Sequence, residues 1–100
     1  MSKVTLIAQI TAKTGQEDAL KVHLEALVPP SRAEDGCINY DLHQSSSNPC
    51  EFMFYENWIN QAALDFHNGT HHLTSLPSKI GDLLAKDVVL SFYTMVSEPQ

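Results

Sequence analysis

The chain has 100 residues, of which 43% are hydrophobic and 18% are charged, and its formal net charge at pH 7 is −6. A chain of this length can bury an independent core, so we expect a single domain over residues 1–100. The six basic residues do not cluster, which argues against nucleic acid or an anionic membrane surface as a partner, and no apolar run is long enough to span a bilayer.

The N-terminal residues show no secretory signal, since a long apolar run with a small-residue cleavage site is missing there. We therefore predict a cytoplasmic protein. In a reducing compartment the two cysteines, Cys37 and Cys50, are expected to be unpaired thiols.

The first third of the chain predicts a strand followed by a helix. Residues 3–11 alternate, with one face formed by Val4, Leu6, Ala8 and Ile10. Thr14 and Glu17 have the spacing of a capping box, and apolar residues then recur at helical spacing. Pro29-Pro30 should end or kink this helix.

A hairpin is predicted next, with strands at 37–44 and 50–58 and a loop at 45–49. A turn centred near Ser47 pairs Leu42 with Phe52, Tyr40 with Phe54 and Ile38 with Glu56, so that the apolar faces of both strands coincide. This register separates the two cysteines by about 20 Å, too far for a disulfide.

The last third predicts a broken helical segment and a final strand. Asn60 can cap a helix over 61–68 that ends at Gly69, and Thr70 can cap a second stretch interrupted at Pro77 and Gly81. Strand 4 is predicted at 87–96, followed by a tail at 97–100.

The resulting order, β-α-β-β-α-β, predicts an α+β ferredoxin-like fold with a four-stranded antiparallel sheet and helices on one face. The other face would carry too much apolar surface for water, in particular at Ile7, Met53, Tyr55, Val89, Tyr93 and Met95. We expect a second copy of the chain to cover it, which gives a homodimer with two-fold symmetry.

The stretches EDGCINYDLHQ, FMFYENW and ALDFHNGTHH resemble the antibiotic biosynthesis monooxygenase-like (ABM-like) family of the dimeric α/β-barrel superfamily. The recurring family features are matched here by Glu34, Gly36-Cys37, Tyr40, Phe54, Glu56, Trp58, His67 and His72. Family members share a shape and differ in chemistry. Some oxidise phenols or quinols with dioxygen and no metal or flavin, others degrade haem, and others process a quorum-sensing sugar phosphate. Haem degradation is disfavoured because Ala8 stands where the haem degraders have an Asn.

The candidate substrate-binding residues are aromatic. Tyr40, Phe54 and Trp58 should face the helices and can form either plain core or the wall of a pocket for a flat substrate, and Phe66 follows on the predicted helix. Glu56 lies between Phe54 and Trp58 on the same face and needs a partner there. That partner is predicted to be a histidine, or alternatively Lys79 or Lys86 in an ion pair.

The candidate catalytic residues are His67, His72 and Glu56. The break at Gly69 could bring the two histidine rings together, and either one could act as the base that deprotonates a phenol. His67 and His71 have the i, i+4 spacing of metal ligands, but no third ligand follows at a recognisable spacing. We therefore predict neither a metal site nor a cofactor.

Three hypotheses follow. The first is a cofactor-independent monooxygenase of the quinol type, with a small aromatic substrate and dioxygen as partners. The second is an isomerase that moves a proton on a small carbonyl or sugar-phosphate compound. The third is a non-catalytic ligand-binding or assembly module, in which the histidines are incidental.

Overall fold

The computed structural model describes residues 3–97, and it confirms the α+β ferredoxin-like fold. Within these residues no helix is both long enough and apolar enough to cross a membrane. Of the predicted tail at 97–100, only Ser97 falls inside the described residues. The elements in chain order are β1 (Val4–Thr11), α1 (Glu17–Ala26), α2 (Val28–Arg32), β2 (Cys37–Gln44), β3 (Glu51–Trp58), α3 (Gln61–Asn68), α4 (His71–Thr74), α5 (Leu76–Ile80), a 3-10 turn (Gly81–Leu83) and β4 (Val89–Tyr93).

The sheet is antiparallel, and its strand order is β2-β3-β1-β4. The alternation predicted for β1 and β3 is confirmed, because their helix-facing residues are buried against the helices. The main core residues of the sheet are Leu6, Ala8, Ile10, Phe52, Phe54 and Trp58, and those of the helices are Leu20, Leu24, Leu27, Leu64 and Ile80.

The predicted register of the β2–β3 hairpin is wrong by two residues. Leu42 lies opposite Phe54, and Tyr40 lies opposite Glu56. The cause is in the loop, where the Ser45 amide donates to the Glu51 carbonyl (2.8 Å) and the Ser45 hydroxyl accepts from the amide of Asn48 (3.1 Å). Because side chains alternate with a period of two, a shift of two residues by itself does not move a side chain to the other face. It also keeps Cys37 and Cys50 at opposite ends of the hairpin, where both are free.

Ile38 does not take its predicted place on the helix-facing side. A β-bulge between Cys37 and Asn39 removes it from the ladder, and its side chain is 51% exposed. A bulge adds one unpaired residue to a strand and turns that strand locally. The pairing of Ile38 with Glu56 was therefore wrong.

β4 is shorter than the predicted strand at 87–96, and it forms an edge of the sheet. Within residues 3–97 it pairs with β1 alone, from Gln9 opposite Val89 to Thr5 opposite Tyr93. Helices cover the other strands but leave β4 open, so even Phe92, on the helix side, is 57% exposed. The result is an apolar edge that is accessible from both faces of the sheet.

The capping box predicted for α1 does not form. Gln16 occupies the N-cap position without a side-chain hydrogen bond, and the Glu17 carboxylate accepts from the amide of Gly15 (2.8 Å) instead. The predicted effect of Pro29-Pro30 is confirmed, since α1 ends at Ala26 and both prolines lie in the first turn of α2. Prolines are tolerated there because the first helical amides need no partner within the helix.

Gly36 holds the segment before β2 close to α3. A Cβ added at Gly36 would overlap the side chain of Ala63 and stand 3.4 Å from its Cα atom. Gly36→Ala is therefore expected to lower the free energy of unfolding by about 1–3 kcal/mol, measured by urea denaturation. Gly81→Ala is the control, because a Cβ there meets nothing within 4 Å. Equal losses in the two variants would contradict this packing argument.

Candidate functional site

A cavity of about 240 Å³ lies between the helix-facing side of the sheet and the helical segment α3–α5. Most of its wall is apolar, with Ala8 and Phe54 from the sheet and Leu73 and Leu76 from the helices. The exposed residues on the helix side of β4 border it as well, among them Leu90 and Phe92. An apolar cavity with a few polar groups is the usual form of a small-molecule site.

The N-terminal cap of α3 fixes the position of His67 in this wall. The Asn60 side chain accepts a hydrogen bond from the amide of Ala63 (2.8 Å), which caps α3 as predicted. His67 then falls in the last turn with its side chain 2% exposed. Its ring lies 4.3 Å from the Trp58 ring and 5.3 Å from the Tyr40 ring, measured between centroids.

Glu34 joins the two candidate histidines. Its Oε2 atom is 2.8 Å from Nδ1 of His67 and 2.8 Å from Nε2 of His72, and its side chain is 6% exposed. A carboxylate oxygen can only accept, so each of these two ring nitrogens is assigned a proton. In a neutral His67 ring, Nε2 then carries the free lone pair.

The surroundings of His67 favour its neutral form. Burial lowers the pKa of His67 below its ordinary value, although the hydrogen bond and the charge of Glu34 act in the opposite direction. Desolvation disfavours a charged imidazole in a closed site. The arrangement therefore gives a neutral imidazole whose tautomer is set by a carboxylate.

Glu56 is the second ionisable group of the wall, and its predicted partners were wrong. Among the described residues it forms no hydrogen bond or ion pair with a histidine or a lysine. Its Oε1 atom accepts a hydrogen bond from the indole Nε1 of Trp58 at 3.0 Å. Burial raises the pKa of Glu56 to about 7, with a further increase from the charge of Glu34, while the Trp58 hydrogen bond lowers it. Near neutral pH a large part of the protein therefore holds Glu56 as an uncharged acid.

Four of the seven predicted site residues line the cavity, namely Tyr40, Phe54, Glu56 and His67. Trp58 is fully buried behind the wall, where it contacts His67 and Glu56. His72 lies outside the lining with its side chain 23% exposed.

Phe66 also lies outside the cavity. It is 68% exposed and borders a separate surface depression with Ile59 and Ala63. Glu34, in contrast, was absent from the predicted site although it is the residue that joins the two histidines. The acidic residue before Gly-Cys in the family pattern was the signal that could have found it.

A wider depression of about 400 Å³ lies beside the β2–β3 loop. None of the predicted site residues borders it. Its one histidine, His43, is exposed and contacts the carbonyl of Asp41 through Nδ1 (3.2 Å). The 240 Å³ cavity, in contrast, is lined by His67, whose ring is hydrogen-bonded to the Glu34 carboxylate, so the smaller cavity is the better candidate site.

The fold and the cavity together describe a ferredoxin-like protein with a largely apolar cavity on the helix side of its sheet. The family model described as antibiotic biosynthesis monooxygenase matches residues 3–75, and the chain belongs to that family. The resemblance inferred from the sequence is thereby confirmed.

Individual relatives match over nearly the whole chain. Rv0793 of Mycobacterium tuberculosis, named as a candidate monooxygenase, is 33% identical over 97 residues, which are 97% of this chain and 95% of the relative. Its solved structure superimposes with a TM-score of 0.90 at 32% identity and covers 99% of this chain and 100% of that one. The structure of PA3566 from Pseudomonas aeruginosa gives a TM-score of 0.91 at 39% identity, with 97% of each chain covered.

Proposed function

We propose that the protein is a cofactor-independent monooxygenase that oxidises a quinol or phenolic small molecule with dioxygen. The observation that carries this proposal is the pairing of His67 with Glu34 at the cavity wall. Because the Nδ1–H group of His67 donates to Glu34, Nε2 is left as the base available to a substrate. The candidate-monooxygenase name of Rv0793 supports the same class of reaction.

The reaction begins with a proton transfer. His67 Nε2 takes the proton of a substrate hydroxyl, and the resulting phenolate is electron-rich enough to reduce dioxygen. Glu56, in its uncharged form, is a hydrogen-bond donor for a substrate oxygen. For a hydroquinone the atoms balance without another reductant: the quinol and dioxygen give a hydroxyquinone and water. The substrate supplies all four electrons, two for the inserted oxygen atom and two for the water.

The cavity suits a flat and uncharged substrate. Its volume of about 240 Å³ exceeds the ~150 Å³ of an engineered protein cavity that holds benzene, so there is room for one or two fused rings. Tyr40 and Phe54, whose ring centroids are 4.6 Å apart, provide aromatic contacts in the wall. No lysine or arginine among the described residues lines it, which favours a neutral ligand over an anion.

The test is oxygen consumption by the metal-free protein with a panel of benzo- and naphthohydroquinones. We expect stoichiometric uptake of dioxygen and a product that carries one ¹⁸O atom when ¹⁸O₂ is supplied. Absence of turnover across the panel would contradict the proposal. So would peroxide release with no labelled product, because the protein would then be oxidising the quinol without inserting oxygen.

The two alternative hypotheses fit this site less well. An isomerase could use His67 and Glu56 as base and acid, but a sugar phosphate would meet no cationic side chain in the described wall. An assembly module would need no open cavity, and a non-catalytic ligand-binding module would need no base in the wall of its cavity. A bound inorganic phosphate that competes with the quinol would favour the isomerase.

We also propose that the protein is a homodimer joined through the open face of the sheet. Val89, Tyr93 and Met95 of that face are 43%, 57% and 48% exposed, and Ile7 and Tyr55 are only partly covered. A second copy of this face would bury these residues by two-fold symmetry. Sedimentation at micromolar concentration should find a dimer, and a monomer would contradict this proposal.

A further inference from the structure

Glu34, His67 and His72, termed here the Glu34 cluster, bring together the side chains that transition metals prefer. They come from the segment before β2, from α3 and from α4. One potential ligand atom of each residue lies within 4.8 Å of the other two. Glu34 lies 33 residues from His67 and 38 from His72 in sequence. Ligands this far apart leave no regular spacing in the sequence, which is why no metal site was predicted there.

The spacing of these atoms is compatible with coordination. Metal bonds of ~2.0–2.2 Å at right or tetrahedral angles hold neighbouring ligand atoms about 3–3.5 Å apart. The two nitrogen-to-Oε2 distances are 2.8 Å, so a small outward movement of the side chains would admit an ion. Hydrogen bonds alone could produce the same distances, so a second observation is needed.

That observation is the other oxygen of Glu34. Oε1 is buried and has no hydrogen-bond partner among the described residues. A buried carboxylate oxygen without a partner loses its hydration and gains nothing in return. A cation bound by the carboxylate would remove this deficit, since either or both of its oxygens could then coordinate.

We propose that the Glu34 cluster is a binding site for a divalent transition-metal ion of the zinc or ferrous class. The ligands are Nδ1 of His67, Nε2 of His72 and the carboxylate of Glu34. Two imidazoles and one carboxylate form a donor set typical of such ions. Binding requires the one proton of each neutral ring to move from the coordinating nitrogen to the other nitrogen of the same ring, so the site takes either the ion or the hydrogen bonds to Glu34.

The ion would oppose the proposed reaction. A metal on Nδ1 of His67 requires the single proton of the neutral ring to lie on Nε2, so the nitrogen available to the cavity becomes a donor and stops being a base. This consequence rests on the proposed function, whereas the binding itself does not. If the protein binds the metal but never oxidises a quinol, the proposed function is wrong and the proposed metal site is still supported.

The binding test uses Zn²⁺ alone, titrated into metal-free protein by calorimetry, together with the thermal unfolding midpoint. We expect one ion per chain and a midpoint that rises with Zn²⁺ concentration. His72→Ala and Glu34→Gln should each weaken Zn²⁺ binding at least tenfold. His71→Ala is the matched control, since His71 is the exposed neighbour outside the cluster and its loss should change neither readout.

Two cluster variants are used so that a loss of Zn²⁺ binding is not attributed to misfolding of one of them. His72 is partly exposed, and Gln at position 34 keeps an oxygen that accepts from both histidines, so circular dichroism should show both variants folded. Absence of Zn²⁺ binding by the wild-type protein would overturn the proposal. Undiminished binding by both folded cluster variants, or equal loss in His71→Ala, would also overturn it, because the ion would then lie elsewhere.

Discussion

His67→Gln is expected to lower the turnover number for quinol oxidation by about 10²–10⁴-fold, the usual contribution of a general base. Glutamine keeps an N–H that can donate to Glu34 but cannot accept the substrate proton. His72→Gln should change the turnover number by less than about tenfold, because His72 lies outside the cavity lining and serves as the second donor to Glu34. Initial rates of oxygen consumption under saturating quinol measure both effects.

The comparison of the two variants identifies the base. Each replaces an imidazole by an amide beside the same carboxylate, so general effects of the substitution on the local structure are similar. The Michaelis constant is expected to change little in His67→Gln, since proton abstraction belongs to the transition state and not to binding. A larger loss in His72→Gln than in His67→Gln would assign the base to His72 and contradict the role given to Glu34.

Most of the fold follows from local patterns in the sequence. The period-two alternation of β1 and β3 predicted their buried helix-facing residues, although Asn57 on the opposite face is buried as well. Pro29-Pro30 predicted where the first helix breaks. The hairpin register was wrong because the side chain and amide of Ser45 organise a longer loop, a detail that composition does not reveal. The bulge at Ile38 was not predicted either, because the prediction assumed that side chains alternate without interruption along the strand.

The site was harder to predict because its contacts cross the fold. The contact of Glu34 with His67 spans 33 residues and depends on the close approach of the Gly36 segment to α3. Glu56 was expected to reach a distant histidine or lysine, yet its partner is Trp58, two positions further along the same strand face. Phe66 was grouped with His67, but neighbouring helical residues point about 100° apart, which directs Phe66 to the surface.

Glu56→Gln is expected to stabilise the protein at alkaline pH and to have little effect near pH 5. The pKa of Glu56 is about 7 in the folded protein against an ordinary value of 4.5. Between pH 4.5 and pH 7 Glu56 holds a proton in the folded state that it has lost in the unfolded state. The free energy of unfolding therefore falls as the pH rises. The loss approaches about 3 kcal/mol by pH 8, at ~1.4 kcal/mol for each unit of pKa difference. Glutamine carries no charge, and its amide oxygen can still accept from Trp58.

The measurement is urea denaturation of wild-type and Glu56→Gln protein between pH 5 and pH 8. The difference in the free energy of unfolding should grow with pH in favour of the variant. Glu51→Gln removes one negative charge from an exposed position of the same strand and controls for the change in net charge. A difference that stays constant with pH would show that the Glu56 side chain is not held as an acid. Growth of the difference would mean that the wild-type protein loses folding stability as Glu56 gives up its proton in the buried cavity wall.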